Sequence, residues 1–196
     1  MAVDRERVSA LVRELLVAIG EDPDRPGLRL TPQRVSETYA EFFSGVGEDA
    51  AAPLAHTISV ATGPAPDTLP SGAVMLRDIR FRSVCEHHLL PFSGHAHIAY
   101  LPGEQVVGLG ALPKVVDILA SRPQVQERLG EQIADTISSS IDCRGVLVVL
   151  DATHQCVTMR SGRQSESSTV TIAARGAFAD AVARAELIAL IGRNRE

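Results

Sequence analysis

A chain of 196 residues, 45% apolar and 22% charged, has the composition of one soluble domain with a real core, or of one domain plus a small appendage. A formal net charge of −5 argues against a nucleic-acid binder, which carries a basic stripe. It leaves room for a nucleotide substrate, since a few local Arg or Lys side chains can hold phosphates inside an acidic protein. No apolar run approaches membrane-spanning length, and Met1 to Asp4 leads straight into a charged helical pattern without a secretory leader. The expected setting is the cytoplasm. There three cysteines, Cys85, Cys143 and Cys156, point to metal binding or catalysis more than to disulfides.

Val8, Leu11, Val12, Leu15, Leu16 and Ile19 recur at three- and four-residue spacing, the pattern of an amphipathic helix that Gly20 is placed to end. Thr31-Pro32 reads as the start of a second helix, with Thr31 as its cap and Pro32 first inside. Residues 1–44 are thus expected to form an N-terminal helical segment. Residues 45–72, rich in Gly, Ala and Pro, read as a linker with a short strand near Thr57 to Ala61. A catalytic domain is expected over 73–196. Val74, Leu76, Ile79 and Phe81 predict a long strand with an irregularity near Asp78, His95 to Leu101 a second, and Gln105 to Leu109 the start of a third. Two helices follow, around Leu112 to Ala120 and from Pro123 to about Ser139. Gly145 to Leu150 and Gln155 to Arg160 read as a strand pair, Ser168 to Ala174 as another strand, and Phe178 to Ile191 as a closing helix. Strands that come in groups predict an antiparallel α+β core.

Cys85-Glu86-His87-His88 packs a thiol, a carboxylate and two imidazoles into four positions. Cys and His are the preferred zinc ligands, and residues three apart in a turn can grip one ion from the same side. His154-Gln155-Cys156 is a second, smaller cluster; on a strand its His and Cys would share a face. One thiolate from each cluster plus one imidazole makes a Cys2His set, with a fourth position left for water as in catalytic zinc sites. Cys143 stands alone and reads as a small buried hydrophobe. His95 and His97 alternate on a strand and read as surface or core histidines.

Cys85-Glu86-His87-His88-Leu89-Leu90-Pro91-Phe92, followed by Gly94 and His97-Ile98-Ala99-Tyr100-Leu101-Pro102, resembles the signature of the GTP cyclohydrolase I family. So do Arg122-Pro123-Gln124-Val125-Gln126-Glu127-Arg128-Leu129, His154-Gln155-Cys156 and Thr31-Pro32-Gln33-Arg34-Val35. Their order and spacing agree from about Thr31 to Phe178. The resemblance implies the tunnelling fold, a four-stranded antiparallel sheet with two helices on one side, assembled as a homo-oligomer, a decamer, with sites at subunit interfaces. It implies Zn2+ on Cys85, His88 and Cys156, and hydrolytic attack at C8 of a guanine nucleotide. His87 would protonate N7, and His154 would assist proton transfers. Ring opening gives a formamide, a second hydrolysis releases formate, and the ribose rearranges and recloses to a dihydropterin. Glu127 would read the base, because a carboxylate offers only acceptors to the adjacent N1–H and N2–H2 donors of guanine. Gln126 would lie near the sugar, and Arg160 and Lys114 near the phosphates.

The pattern departs in two segments, the later of them the family's Arg-Gly-hydrophobic motif, which here reads Arg160-Ser161-Gly162 with the arginine kept. Where the family has Gly-Leu-Ser-Lys, two variable positions and Arg, this chain has Gly108-Leu109-Gly110-Ala111-Leu112-Pro113-Lys114. Losing two groups that grip the sugar–triphosphate and weakening a third would cost about 3–6 kcal/mol at roughly 1.5–3 kcal/mol for each charge-assisted bond. Arg163 or Arg122 could compensate, as in an ordinary GTP cyclohydrolase I. The alternatives are a specialised paralogue, acting on a guanine compound with fewer phosphates or stopping at the formamide or diaminopyrimidine stage, and a non-catalytic zinc-binding paralogue. A tunnelling-fold reductase is disfavoured for want of a nicotinamide site.

Overall fold

The structure is a computed structural model that describes residues 3–59, 72–159 and 164–192. Its contacts divide the chain into two units, Met1–Glu48 and Asp49–Glu196.

The first unit is a pair of packed helices, α1 (Arg5–Ala18) and α2 (Thr31–Phe42). Asp4 caps α1 by accepting from the Arg7 N–H at 3.0 Å, and Gly20 ends it with φ +88°, a conformation that glycine adopts without steric cost. Only Leu16 of the apolar stripe is buried; Leu11 and Leu15 stay more than half exposed. The second helix begins one residue earlier than Thr31-Pro32 implied. Leu30 occupies the cap position without a side-chain bond, because the Thr31 N–H already turns back onto Leu28 O at 2.9 Å. Arg13 and Asp24 close the connection with paired bonds of 3.0 and 2.6 Å.

In the second unit the strands β2 (Val74–Cys85), β3 (Pro91–Pro102), β6 (Cys143–His154) and β7 (Thr169–Gly176) form the expected antiparallel run. A fifth strand corrects the expected four. The two-residue β5 (Pro123–Gln124) pairs in parallel with the end of β2, in the order β5-β2-β3-β6-β7. The segment read as a third strand is β4 (Gln105–Val107), which leaves the main sheet and pairs with β1 (Thr57–Ser59). One sheet face carries Phe81, Phe92, Ile98, Val148 and Leu150 against α3 (Ala111–Ala120) and α4 (Gln126–Ser140). Alternation along each strand sends Ala99, Leu101, Leu147 and Val149 to the other face, where Phe178, Ala183 and Leu187 cover them. The last two belong to the closing helix α6 (Ala181–Ile191), so this helix lies on the face opposite α3 and α4.

The irregularity near Asp78 is a bulge. The register shifts between Leu76 and Ile79, Asp78 has φ 58°, and its N–H donates to His97 Nδ1 at 3.2 Å. His97 is thus a core histidine occupied by the bulge. The strand pair expected over 145–160 is instead one strand ending at His154, followed by the helical turn α5 (Gln155–Thr158). Asp151, Ala152 and Thr153 stay extended because each pairs with β3.

Candidate active site

Sheet order alone gathers the chemistry at one end. β2 and β6 flank β3 and run the same way, so Cys85 and His154, their last residues, lie at the same edge. Parallel pairing of Val84 and Cys85 with Pro123 and Gln124 then brings the start of α4, with Gln126 and Glu127, to that edge too.

The turn after β2 is tightly closed. The Cys85 N–H donates to Leu90 O at 2.8 Å, the Leu89 N–H to Cys85 O at 2.8 Å, and Leu89 takes φ 52°. The Glu86 N–H donates to Gln124 O at 3.0 Å, and the Glu86 carboxylate receives a two-pronged bond from Arg128 at 2.6 and 3.0 Å. That bond holds the carboxyl below its ordinary value and clamps the turn to α4. Cys85 is buried, His88 exposed and Cys156 half-buried, and one donor atom from each lies within 4.8 Å of the others. Ligands 2.0–2.3 Å from a tetrahedral zinc sit roughly 3.5–4 Å apart, so the three donors fit one ion after a shift of about 1 Å. Cys143 is not part of this cluster; burial pushes its thiol up.

His87 is exposed beside the donors, its Nδ1 3.9 Å from Cys85 Sγ and its ring edge-on to His88 at 6.4 Å. His154 is half-buried and stacked flat on Phe92, with centroids 4.6 Å apart and planes 5° from parallel. Burial lowers its pKa, against a smaller opposing pull from the Glu127 carboxylate. Glu127 is exposed in the first turn of α4. Gln126, expected beside a sugar, is instead 1% exposed, with its amide spent inside the protein and Oε1 2.7 Å from His154 Nε2. Nothing in the spacing signalled this. Lys114 is exposed on α3, which starts at Ala111 without a side-chain cap; Arg160 and Arg163 lie outside the described residues. His95 lines a separate cavity with Arg80, Ser93 and Asp151 that none of the donor residues borders.

Residues 8–192 match GTP cyclohydrolase I as a family. The chain belongs to that family. It is 61% identical over 189 residues to GTP cyclohydrolase 1 of Leifsonia xyli subsp. xyli, an alignment covering 96% of each chain. It is 50% identical to GTP cyclohydrolase 1 of Rhodopirellula baltica, over 97% of this chain and 80% of the relative. With GTP cyclohydrolase 1 of Bacillus subtilis the identity is 47%, over 97% of each. A solved structure of the archaeosine synthase QueF-Like in the apo form matches 54% of this chain and 94% of its own, at 20% identity and a TM-score of 0.45. GTP cyclohydrolase I enzymes use zinc, and the Cys85, His88 and Cys156 donors fit it. Among the described residues no helix is long and apolar enough to cross a membrane.

Proposed function

We propose that this chain is a GTP cyclohydrolase I that converts GTP to 7,8-dihydroneopterin triphosphate, opening the imidazole ring at C8 and releasing formate. The observation that carries it is the convergence of Cys85, His88 and Cys156 beside two histidines that a purely structural zinc would not need. Zinc on these donors supplies Lewis acidity and water acidified to a pKa of about 7. His87, exposed and next to a ligand, donates the proton to purine N7. Glu127, in the first turn of α4, accepts from guanine N1–H and N2–H2. His154 assists the proton transfers, and Lys114 and Arg160 bind phosphate oxygens. The assembly is a homo-oligomer, a decamer, working in the cytoplasm.

A second reading, reduced dependence on the triphosphate, is favoured by Gly110 and Ala111. Neither carries a group that can reach a phosphate, and the space around a Gly110 Cβ is empty to 4 Å. The test is incubation of the zinc-loaded protein with GTP, GMP, guanosine and guanine, with products identified by mass. Formate and dihydroneopterin triphosphate from GTP support the first reading. Equal turnover of GMP, or accumulation of a ring-opened pyrimidine, supports the second. His87→Ala is expected to keep zinc and lose ring opening by about 10²–10⁴-fold; near-normal formate release removes His87 from the reaction.

A further inference from the structure

Gln126 opens α4, a position where a polar side chain ordinarily faces water, yet it is 1% exposed. Its amide nitrogen lies 3.1 Å from Leu150 O, 2.8 Å from Thr169 O and 3.2 Å from Thr171 Oγ1. Two of those partners are carbonyl oxygens, which only accept, so the NH2 group must face them and its protons are spent there. The amide oxygen is thereby turned towards His154 Nε2, 2.7 Å away. An amide oxygen also only accepts, so the nitrogen opposite it must carry the hydrogen. The ring has little freedom to turn out of this bond, because it lies stacked 5° from parallel on Phe92, its cross-strand partner.

We propose that Gln126 is a positioning residue: it fixes the orientation of the His154 ring and holds it as the Nε2–H tautomer, leaving the acceptor lone pair of the ring on Nδ1. The inference rests on the role in proton transfer assigned to His154 above. The three anchors on β6 and β7 prevent the amide from flipping to present a donor, which would invert the tautomer.

The experiment is neutron diffraction from crystals of the deuterium-exchanged, zinc-loaded enzyme, paired with kinetics of Gln126→Leu. The expected map has a deuteron on Nε2 of His154 and none on Nδ1; a deuteron on Nδ1, alone or with one on Nε2, overturns the proposal. Gln126→Leu keeps the approximate volume and loses the lock. It is expected to retain one zinc per chain and the parent KM for GTP, while kcat for formate release falls about 10–100-fold, the range found when groups that orient metal-bound histidines are removed. A kcat within twofold of the parent, or a loss of zinc in step with the loss of rate, overturns the positioning role. A parent enzyme that releases no formate from any guanine compound defeats the functional reading, while the neutron map still decides the tautomer. If the variant fails to fold, that same map decides alone.

Discussion

Gly94 is the tightest point of the sheet next to the site, and replacing it by alanine should damage both. It lies in β3 opposite Ala152 of β6, and a Cβ built there would sit 1.9 Å from Asp151 O and 2.6 Å from Ala152 Cα. Ordinary contacts begin near 3.4 Å, so the strands must part by about 1.5 Å, and both obstructing atoms are backbone. Overpacking typically costs 1–3 kcal/mol, and a backbone clash belongs at the top, about 3 kcal/mol. For a chain of this size that lowers Tm by about 6–12 °C, at roughly 2–4 °C per kcal/mol. The stacked pair Phe92 and His154 lies two residues further along the same strands, so formate release should fall at least about tenfold. Calorimetry of zinc-loaded Gly94→Ala against the parent, with Gly108→Ala as control, makes the measurement. A Cβ at Gly108 meets nothing within 4 Å, and its effect should stay within about 0.5 kcal/mol. A Gly94→Ala melt within 2 °C of the parent would refute the reasoning, since the strands would then open at almost no cost.

Cys85→Ala and Cys156→Ala should each lose zinc on metal analysis, and full occupancy in either removes that residue from the ligand set. Glu127→Gln turns one acceptor into a donor facing a guanine donor; an unpaired polar group costs about 1–3 kcal/mol, so KM for GTP should rise roughly 5–150-fold, and an unchanged KM places base reading elsewhere. The double change Gly110→Ser, Ala111→Lys restores the family pattern, with open space around position 110, and should raise the GTP-to-GMP ratio of kcat/KM by about tenfold or more; an unchanged ratio means other residues hold the phosphates. Asp180 caps α6 through the Val182 and Ala183 N–H groups at 3.0 Å each, and these bonds hold its carboxyl below the usual aspartate range. Its contribution is therefore complete above about pH 4, the unfolded value, and is lost as pH falls through the lowered folded value. The Tm difference between parent and Asp180→Asn should be level from pH 7 to 5 and shrink towards pH 3; a difference that grows on acidification contradicts the cap.

Much of this architecture is legible in residue order, and the exceptions share a cause. The stripe from Val8 to Ile19 marks α1, and alternation from Val74 to Phe81 marks β2, because both are local consequences of burying one face. A thiolate from each of the two clusters and an imidazole beside them were readable as donors from chemistry and spacing; the choice of His88 came from the family resemblance. The route by which Cys156 arrives was not readable: the residues after Leu150 read as a break, since Asp151 and Thr153 are polar, yet they are held extended by pairing with β3 and β7. The parallel strand β5 has two residues and no pattern; only the end of β2 defines it. Gln126 shows the limit most sharply. A glutamine at a helix start looks like surface, and what buries it are oxygens of Leu150, Thr169 and Thr171, contributed by distant strands.

The donor cluster also has a mechanical side. Cys85 and His88 belong to one turn, and Cys156 to a helical turn about seventy residues later in the chain. An ion shared by them is a rivet across a long loop, one that no unfolded chain can hold at comparable strength. Such a rivet adds to folding stability by mass action, about 2.7 kcal/mol when free zinc stands a hundredfold above its Kd. Metal supply therefore governs persistence as well as turnover: a chain starved of zinc is both idle and easier to unravel, and so more readily cleared by proteolysis.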